Sequence, residues 1–180
     1  MKGVVFTEFL QFVARRYSED MVDDIIEASE LPSGGAYTTV GTYSHDEMVA
    51  LCKALAARTG EAVPELVREF GAHLSDSFAR GYPGFFSRSD SLFDFLASIE
   101  GHIHVEVLKL YPDAELPSFK VQQRDDRRLV LDYRSPRRMG ELAEGLIRGA
   151  ARKFGVEARV VATPIDGSGG DAMRFVVDLL

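Results

Sequence analysis

The sequence predicts an α+β fold: helices to about residue 115, then an antiparallel four-stranded sheet packed with a helix. Three observations lead there. Apolar residues recur at helical spacing before residue 115 and alternate in short runs after it. There is no internal repeat and no low-complexity linker, so the change of period marks subdomains of one unit. A chain of 180 residues that is 46% hydrophobic and 27% charged has the makeup of a globular protein, not a disordered one.

Val4, Val5, Phe9, Phe12 and Val13 mark the first helix, and Met21, Ile25 and Ile26 a short second one. Glu30-Leu31-Pro32-Ser33-Gly34-Gly35 ends it, because Pro and Gly disfavour a helical interior. Ser44 caps the next helix, with Glu47 expected to complete a capping box and Met48, Leu51, Cys52 and Leu55 on its apolar face. After Thr59-Gly60, a segment from Val63 to Arg80 carries Leu66, Val67, Phe70, Leu74 and Phe78 inward until Pro83-Gly84 breaks it. One long helix is expected from about Ser91 to Tyr111, where Pro112 stops it.

Strands follow at Phe119 to Gln123, Leu129 to Tyr133, Ala158 to Thr163 and Met173 to Leu179, with a helix from about Met139 to Phe154 between the second and third. Asp166 to Gly170 reads as the hairpin loop joining the last two strands.

With 28 acidic against 21 basic residues the net charge is -7, which disfavours broad attraction to nucleic acid or anionic membranes. No apolar run approaches the roughly 20 residues of a membrane span, and the amino terminus lacks signal-peptide character. A soluble, cytoplasmic chain is therefore expected. The lone Cys52 can form neither an internal disulfide nor a cysteine zinc cluster, and reads as a small core residue.

Four histidines occur, His45, His73, His102 and His104, and the last two form a His-Ile-His triplet. As a strand, the triplet would aim His102, His104 and Glu106 to one side as a two-histidine, one-carboxylate site, giving a non-haem metalloprotein or enzyme. As a helix, positions two apart lie about 200° apart around the axis, so one ion cannot take both imidazoles. The helical pattern favours the second reading. It places His102 along Ser98, Glu106 and Lys109, and His104 along the more apolar Phe93, Ala97, Leu108 and Tyr111. On pattern alone His104 reads as a satisfied core histidine, His102 as a surface one, and His45 and His73 as structural.

Tyr133-Arg134-Ser135-Pro136-Arg137 ends a predicted strand, and Tyr133, Ser135 and Arg137 share one side if the extension continues. A phenol, a hydroxyl and a guanidinium together suit an anionic ligand, the Arg fork gripping a carboxylate with two hydrogen bonds. A solvated strand edge is the plainer alternative. An interaction module without any cofactor fits the same residues.

Taken together, Met1-Lys2-Gly3, Gly35-Ala36-Tyr37-Thr38-Thr39-Val40-Gly41-Thr42-Tyr43, Ser91-Leu92-Phe93-Asp94-Phe95-Leu96, Tyr111-Pro112 and above all the Tyr-x-Ser-x-Arg pattern resemble the H-NOX family. These are the haem nitric oxide/oxygen binding domains related to the sensor region of soluble guanylate cyclase. The resemblance spans nearly the whole chain. It implies one domain over 1–180, a helical subdomain at about 1–63 and a haem-binding α+β part at about 64–180, with haem b (iron protoporphyrin IX) between them.

In the family the iron ligand precedes the Tyr-Pro by seven positions, which lands on His104. The motif residues, here Tyr133, Ser135 and Arg137, bind the haem propionates, and Pro117 matches a proline that contacts the haem. The gas-facing positions correspond to Val5, Phe9, Leu74 and Leu142. Leu142 stands where oxygen-binding relatives carry a tyrosine, so nitric oxide and carbon monoxide are favoured over oxygen. The implied mechanism is that nitric oxide weakens or breaks the bond from iron to His104 and the helical part shifts against the sheet. The resemblance implies a sensor and not an enzyme, signalling to a separate partner such as a histidine kinase or a cyclic-di-GMP signalling enzyme. The cysteine-rich zinc motif of some relatives is missing, which puts redox sensing through zinc-bound thiolates in doubt here.

Overall fold

A computed structural model describes residues 1–180, which divide into two compact units, Met1–Phe70 and Gly71–Leu180. The first unit holds α1 (Gly3–Arg16), α2 (Glu19–Glu27), α3 (His45–Thr59) and the opening turns of α4 (Val63–Gly81). Ser18 caps α2 by accepting from the Met21 amide, and Gly60 closes α3 in the left-handed region at φ 75°. Of the apolar faces read from the sequence, Phe9, Ile25, Met48, Leu51, Leu55, Leu66 and Phe70 are wholly enclosed, joined by Phe6, while Val4, Val5, Met21 and Ile26 are half-buried. Cys52 is buried among them, and burial pushes its thiol up to about 12, so it is a core residue without thiolate chemistry.

The capping box expected at Ser44 does not form. Ser44 accepts from the Asp46 amide, while Glu47 turns inward, is buried, and takes hydrogen bonds from the Ser33 and Tyr37 hydroxyls. A buried carboxylate needs those donors more than a helix end needs a second cap.

The second unit continues α4 and adds α5 (Pro83–Phe86), which the sequence reading treated only as a break; Pro83 sits in its first turn, where a missing N–H costs nothing. Then come α6 (Leu92–Ser98), a π-helical turn at Ile99–Ile103 and α7 (His104–Leu110). The single helix expected from about Ser91 to Tyr111 is thus interrupted: a wider turn at the flexible Gly101 absorbs one extra residue, which apolar spacing alone does not register.

The strands β1 (Ser118–Arg124), β2 (Arg128–Arg134), β3 (Ala158–Pro164) and β4 (Ala172–Leu179) form one antiparallel sheet in the order β1-β2-β4-β3, with α8 (Gly140–Lys153) between β2 and β3 in sequence. Leu129, Leu131, Tyr133, Phe175, Val177 and Val160 face a core shared with Ala143, Ile147 and Ala150 of α8 and Leu92 and Leu96 of α6. No helix is long and apolar enough to cross a membrane.

Two glycines let α4 approach α8 closely within this unit. A Cβ on Gly71 would collide with the Leu142 carbonyl, and one on Gly149 with Ser75 and the Ala72 carbonyl. Gly149→Ala should therefore lower the unfolding free energy by about 1–3 kcal/mol in urea titration despite alanine's better helix propensity. Gly81→Ala, where an added Cβ meets nothing, should be neutral or stabilising. Equal effects at the two positions would contradict the close packing.

Candidate functional site

The helical run leading to His104 is fixed at its start. Ser91 caps α6 by accepting from the Asp94 amide, and the Asp94 carboxylate accepts from Arg124 of β1 at 2.6 Å. In the π-helical turn the His104 amide bonds back to the Ile99 carbonyl, so His104 opens α7. Its side chain is only 14% exposed. Against it lie the Phe119 ring, with centroids 6.0 Å apart, and the Glu100 carboxylate, whose Oε2 stands 3.4 Å from Nδ1. Phe119 in turn packs on Tyr133 at 5.2 Å, and Tyr133 on Phe175 at 5.9 Å.

Burial lowers the His104 pKa below its ordinary value of 6.5 because the cationic form loses its hydration, and the Glu100 carboxylate opposes this without overcoming it. The imidazole is therefore neutral at pH 7. Nδ1 is enclosed and forms no closed hydrogen bond; at 3.4 Å the Glu100 contact satisfies an ion-pair distance but not hydrogen-bond alignment. A proton on Nδ1 would face that carboxylate and leave on Nε2 the lone pair that a transition metal needs.

His102 does not join it. Its Nε2 lies 3.3 Å from an Arg88 nitrogen, while Glu106 pairs with Lys109 at 2.7 Å. No group of three or more His, Cys, Asp or Glu side chains converges as a metal site, and the triplet lies in a helical run. The alternative site of His102, His104 and Glu106 is therefore set aside. His45 lies beside Asp46, and the Nε2 of His73 is enclosed.

The Tyr-x-Ser-x-Arg segment departs from the extended geometry considered in the sequence. β2 ends at Arg134, and residues 135–138 form a turn closed by the Arg138 amide on the Ser135 carbonyl, with Arg138 at φ 53°. The Ser135 hydroxyl also accepts from the Arg137 amide at 3.3 Å. Serine and proline together favour this turn over further strand. The turn still gathers the three side chains: burial raises the Tyr133 phenol above its ordinary value, while the Ser135 hydroxyl and Arg137 charge pull it down. Tyr133 and Ser135 are buried, and the mostly enclosed Arg137 guanidinium donates to the Glu115 carbonyl at 2.7 Å and carboxylate at 2.8 Å. Arg137 thus already grips a carboxylate, the chemistry its fork serves.

Pro117 is half-buried just before β1. Leu74 is buried on α4 and Leu142 half-buried on α8, both in the second unit. In the first unit, Val5 is half-buried on α1 and Phe9 is enclosed with its ring edge-to-face on Phe70 at 5.0 Å. Sequence reasoning missed Glu100 and Phe119. Each lies near His104 in space, but only the fold could show that Phe119 returns beside it.

The family model for haem-NO-binding domains matches residues 2–162. This chain belongs to the H-NOX family. A crystal structure of the unliganded Fe(II) H-NOX protein from K. algicida is 38% identical, with a TM-score of 0.94, covering 100% of this chain and 97% of that one. The H-NOX protein from S. oneidensis in its Fe(II)NO state is 26% identical with a TM-score of 0.91, covering 100% and 99%. Among curated proteins, soluble guanylate cyclase gcy-35 of Caenorhabditis elegans is 25% identical over 158 residues, 86% of this chain. The match spans only 23% of that cyclase. The H-NOX fold is thereby established, and with it a haem-based gas-sensor family related to the cyclase sensor.

The His104 pKa gives a direct check. In the haem-free protein its ring carbons should titrate by NMR with a midpoint below 6.5. Because the unfolded chain then binds the proton more readily, acidification below pH 6.5 should favour unfolding through this group until the folded-state pKa is passed. A midpoint at or above 6.5 would contradict the burial argument.

Proposed function

We propose that this H-NOX domain senses nitric oxide, and binds carbon monoxide, at a ferrous haem b held by His104. The observation that carries this reading is the buried imidazole of His104, whose enclosed Nδ1 faces the Glu100 carboxylate at 3.4 Å; with the proton on Nδ1, Nε2 would take the iron. Haem held by His104 would supply an iron able to bind a diatomic gas. The chain's own residues supply the rest. Tyr133, Ser135 and Arg137 offer a phenol, a hydroxyl and a guanidinium for the propionates, with Arg137 exchanging its Glu115 carboxylate for a propionate. Pro117 and Phe119 add apolar contact. The donor set fits the group.

Gas preference follows from the side chains that the family resemblance assigns to the gas-facing positions. Val5, Phe9, Leu74 and Leu142 carry no hydrogen-bond donor, so bound oxygen gains no polar partner from them, whereas nitric oxide and carbon monoxide need none. The S. oneidensis relative is described in Fe(II)NO and Fe(II)CO states, which supports the same ligands here. The output is proposed to pass to a separate signalling protein, a histidine kinase or a cyclic-di-GMP enzyme.

His104→Ala should lose stable haem ligation and regain it when imidazole is supplied, while His102→Ala should retain the wild-type absorption spectrum. Equal loss in both variants would sink the assignment of His104. Leu142→Tyr should introduce a stable ferrous oxygen complex, read as a persistent spectral change in air. A ferrous variant that behaves in air like the wild type would remove Leu142 from the gas-facing positions.

A further inference from the structure

We propose that Glu100 is the positioning residue of the proximal imidazole: its carboxylate, anchored on β1, accepts a hydrogen bond from the Nδ1–H of His104 and so presents Nε2 to the iron. The inference rests on the reading of His104 as the haem ligand and deepens it.

Three observations meet at this carboxylate. Oε2 accepts from the Phe119 backbone amide at 2.9 Å, which ties the π-helical turn to the first residues of β1. The same oxygen stands 3.4 Å from Nδ1 of His104. Nδ1 is sealed from solvent with no closed hydrogen bond, so Glu100 is the acceptor within reach of its proton. A buried N–H left without a partner is costly, and a small rotation of either side chain completes the bond.

The local backbone favours this pairing. The π-helical turn spans Ile99–Ile103, and the bond from the His104 amide to the Ile99 carbonyl sets Glu100 and His104 on neighbouring turns with their side chains in contact. Gly101 between them brings no side chain to this wide turn. The Glu100 side chain is 53% exposed, with one oxygen reaching inward to the ring. A carboxylate on the far nitrogen of a metal-bound imidazole fixes the tautomer and raises the ligand's basicity. Glu100 therefore sets both the direction and the donor strength of His104.

Glu100→Gln separates charge from geometry, because the amide oxygen can still accept from Phe119 and from Nδ1 while the negative charge is gone. In the ferrous holoprotein, resonance Raman should show the iron–histidine stretch moved to lower frequency in Glu100→Gln, and the ferric/ferrous midpoint potential should rise. Glu106→Gln removes a charge still nearer to His104 in sequence, but one paired with Lys109 and not with the ring, and should leave both readouts at their wild-type values. Glu100→Ala loses the acceptor altogether and should speed haem loss about 10-fold or more. Unchanged frequency and potential in Glu100→Gln, or equal shifts in the two Gln variants, would overturn the role of Glu100 while leaving His104 as ligand. A wild-type protein that binds haem without an iron–histidine stretch would instead overturn the assignment of His104 and this inference with it.

Discussion

The proposed haem site depends on the desolvation of one imidazole. His104 is held where a cation is disfavoured, and the nearby carboxylate restores only part of that penalty, so the ring remains a neutral donor at the pH of a cell. Several otherwise separate features serve this condition. Ser91 and the Asp94–Arg124 pair fix the start of the helical run against β1, the π-helical turn sets the register at which His104 arrives, and the rings of Phe119, Tyr133 and Phe175 continue the apolar wall into the sheet.

That wall stands beside the polar turn after β2. Tyr133 belongs to both, its ring in the sheet core and its hydroxyl near Ser135 and Arg137. A planar ligand with an apolar body, a metal centre and anionic edge groups asks for this division of labour: an imidazole for the metal, rings for the body and charge-assisted donors for the edge. Membership of the H-NOX family supplies the identity of such a ligand, and the residues present agree with it. That family is one of haem-based gas sensors.

Much of this was legible in the sequence because it depends on periodicity and local chemistry. All four strands and the helix between β2 and β3 follow from alternation, helical spacing and turn residues, and the run of helices ends at Leu110, just before Tyr111-Pro112. What escaped depends on contacts distant in sequence or on small changes of register. Apolar spacing at Leu92, Leu96, Ile99, Ile103 and Leu110 looks the same whether or not one turn is wide, so the π-helical turn was hidden. Glu47 looked like half of a capping box until Ser33 and Tyr37 claimed it. Nothing in the local sequence marks Glu100, because its contact with the Phe119 amide lies nineteen positions along the chain. Tyr133, Ser135 and Arg137 were identified as a group, but a turn and not a continuing strand brings them together.

The most direct test is the absorption spectrum of the anaerobically reduced, purified protein, recorded again after nitric oxide and, separately, after air. The account predicts a haem Soret band that shifts with nitric oxide and forms no stable oxygen complex. A protein without a Soret band, even after reconstitution with haem, or one that forms a stable oxygen complex, would contradict it.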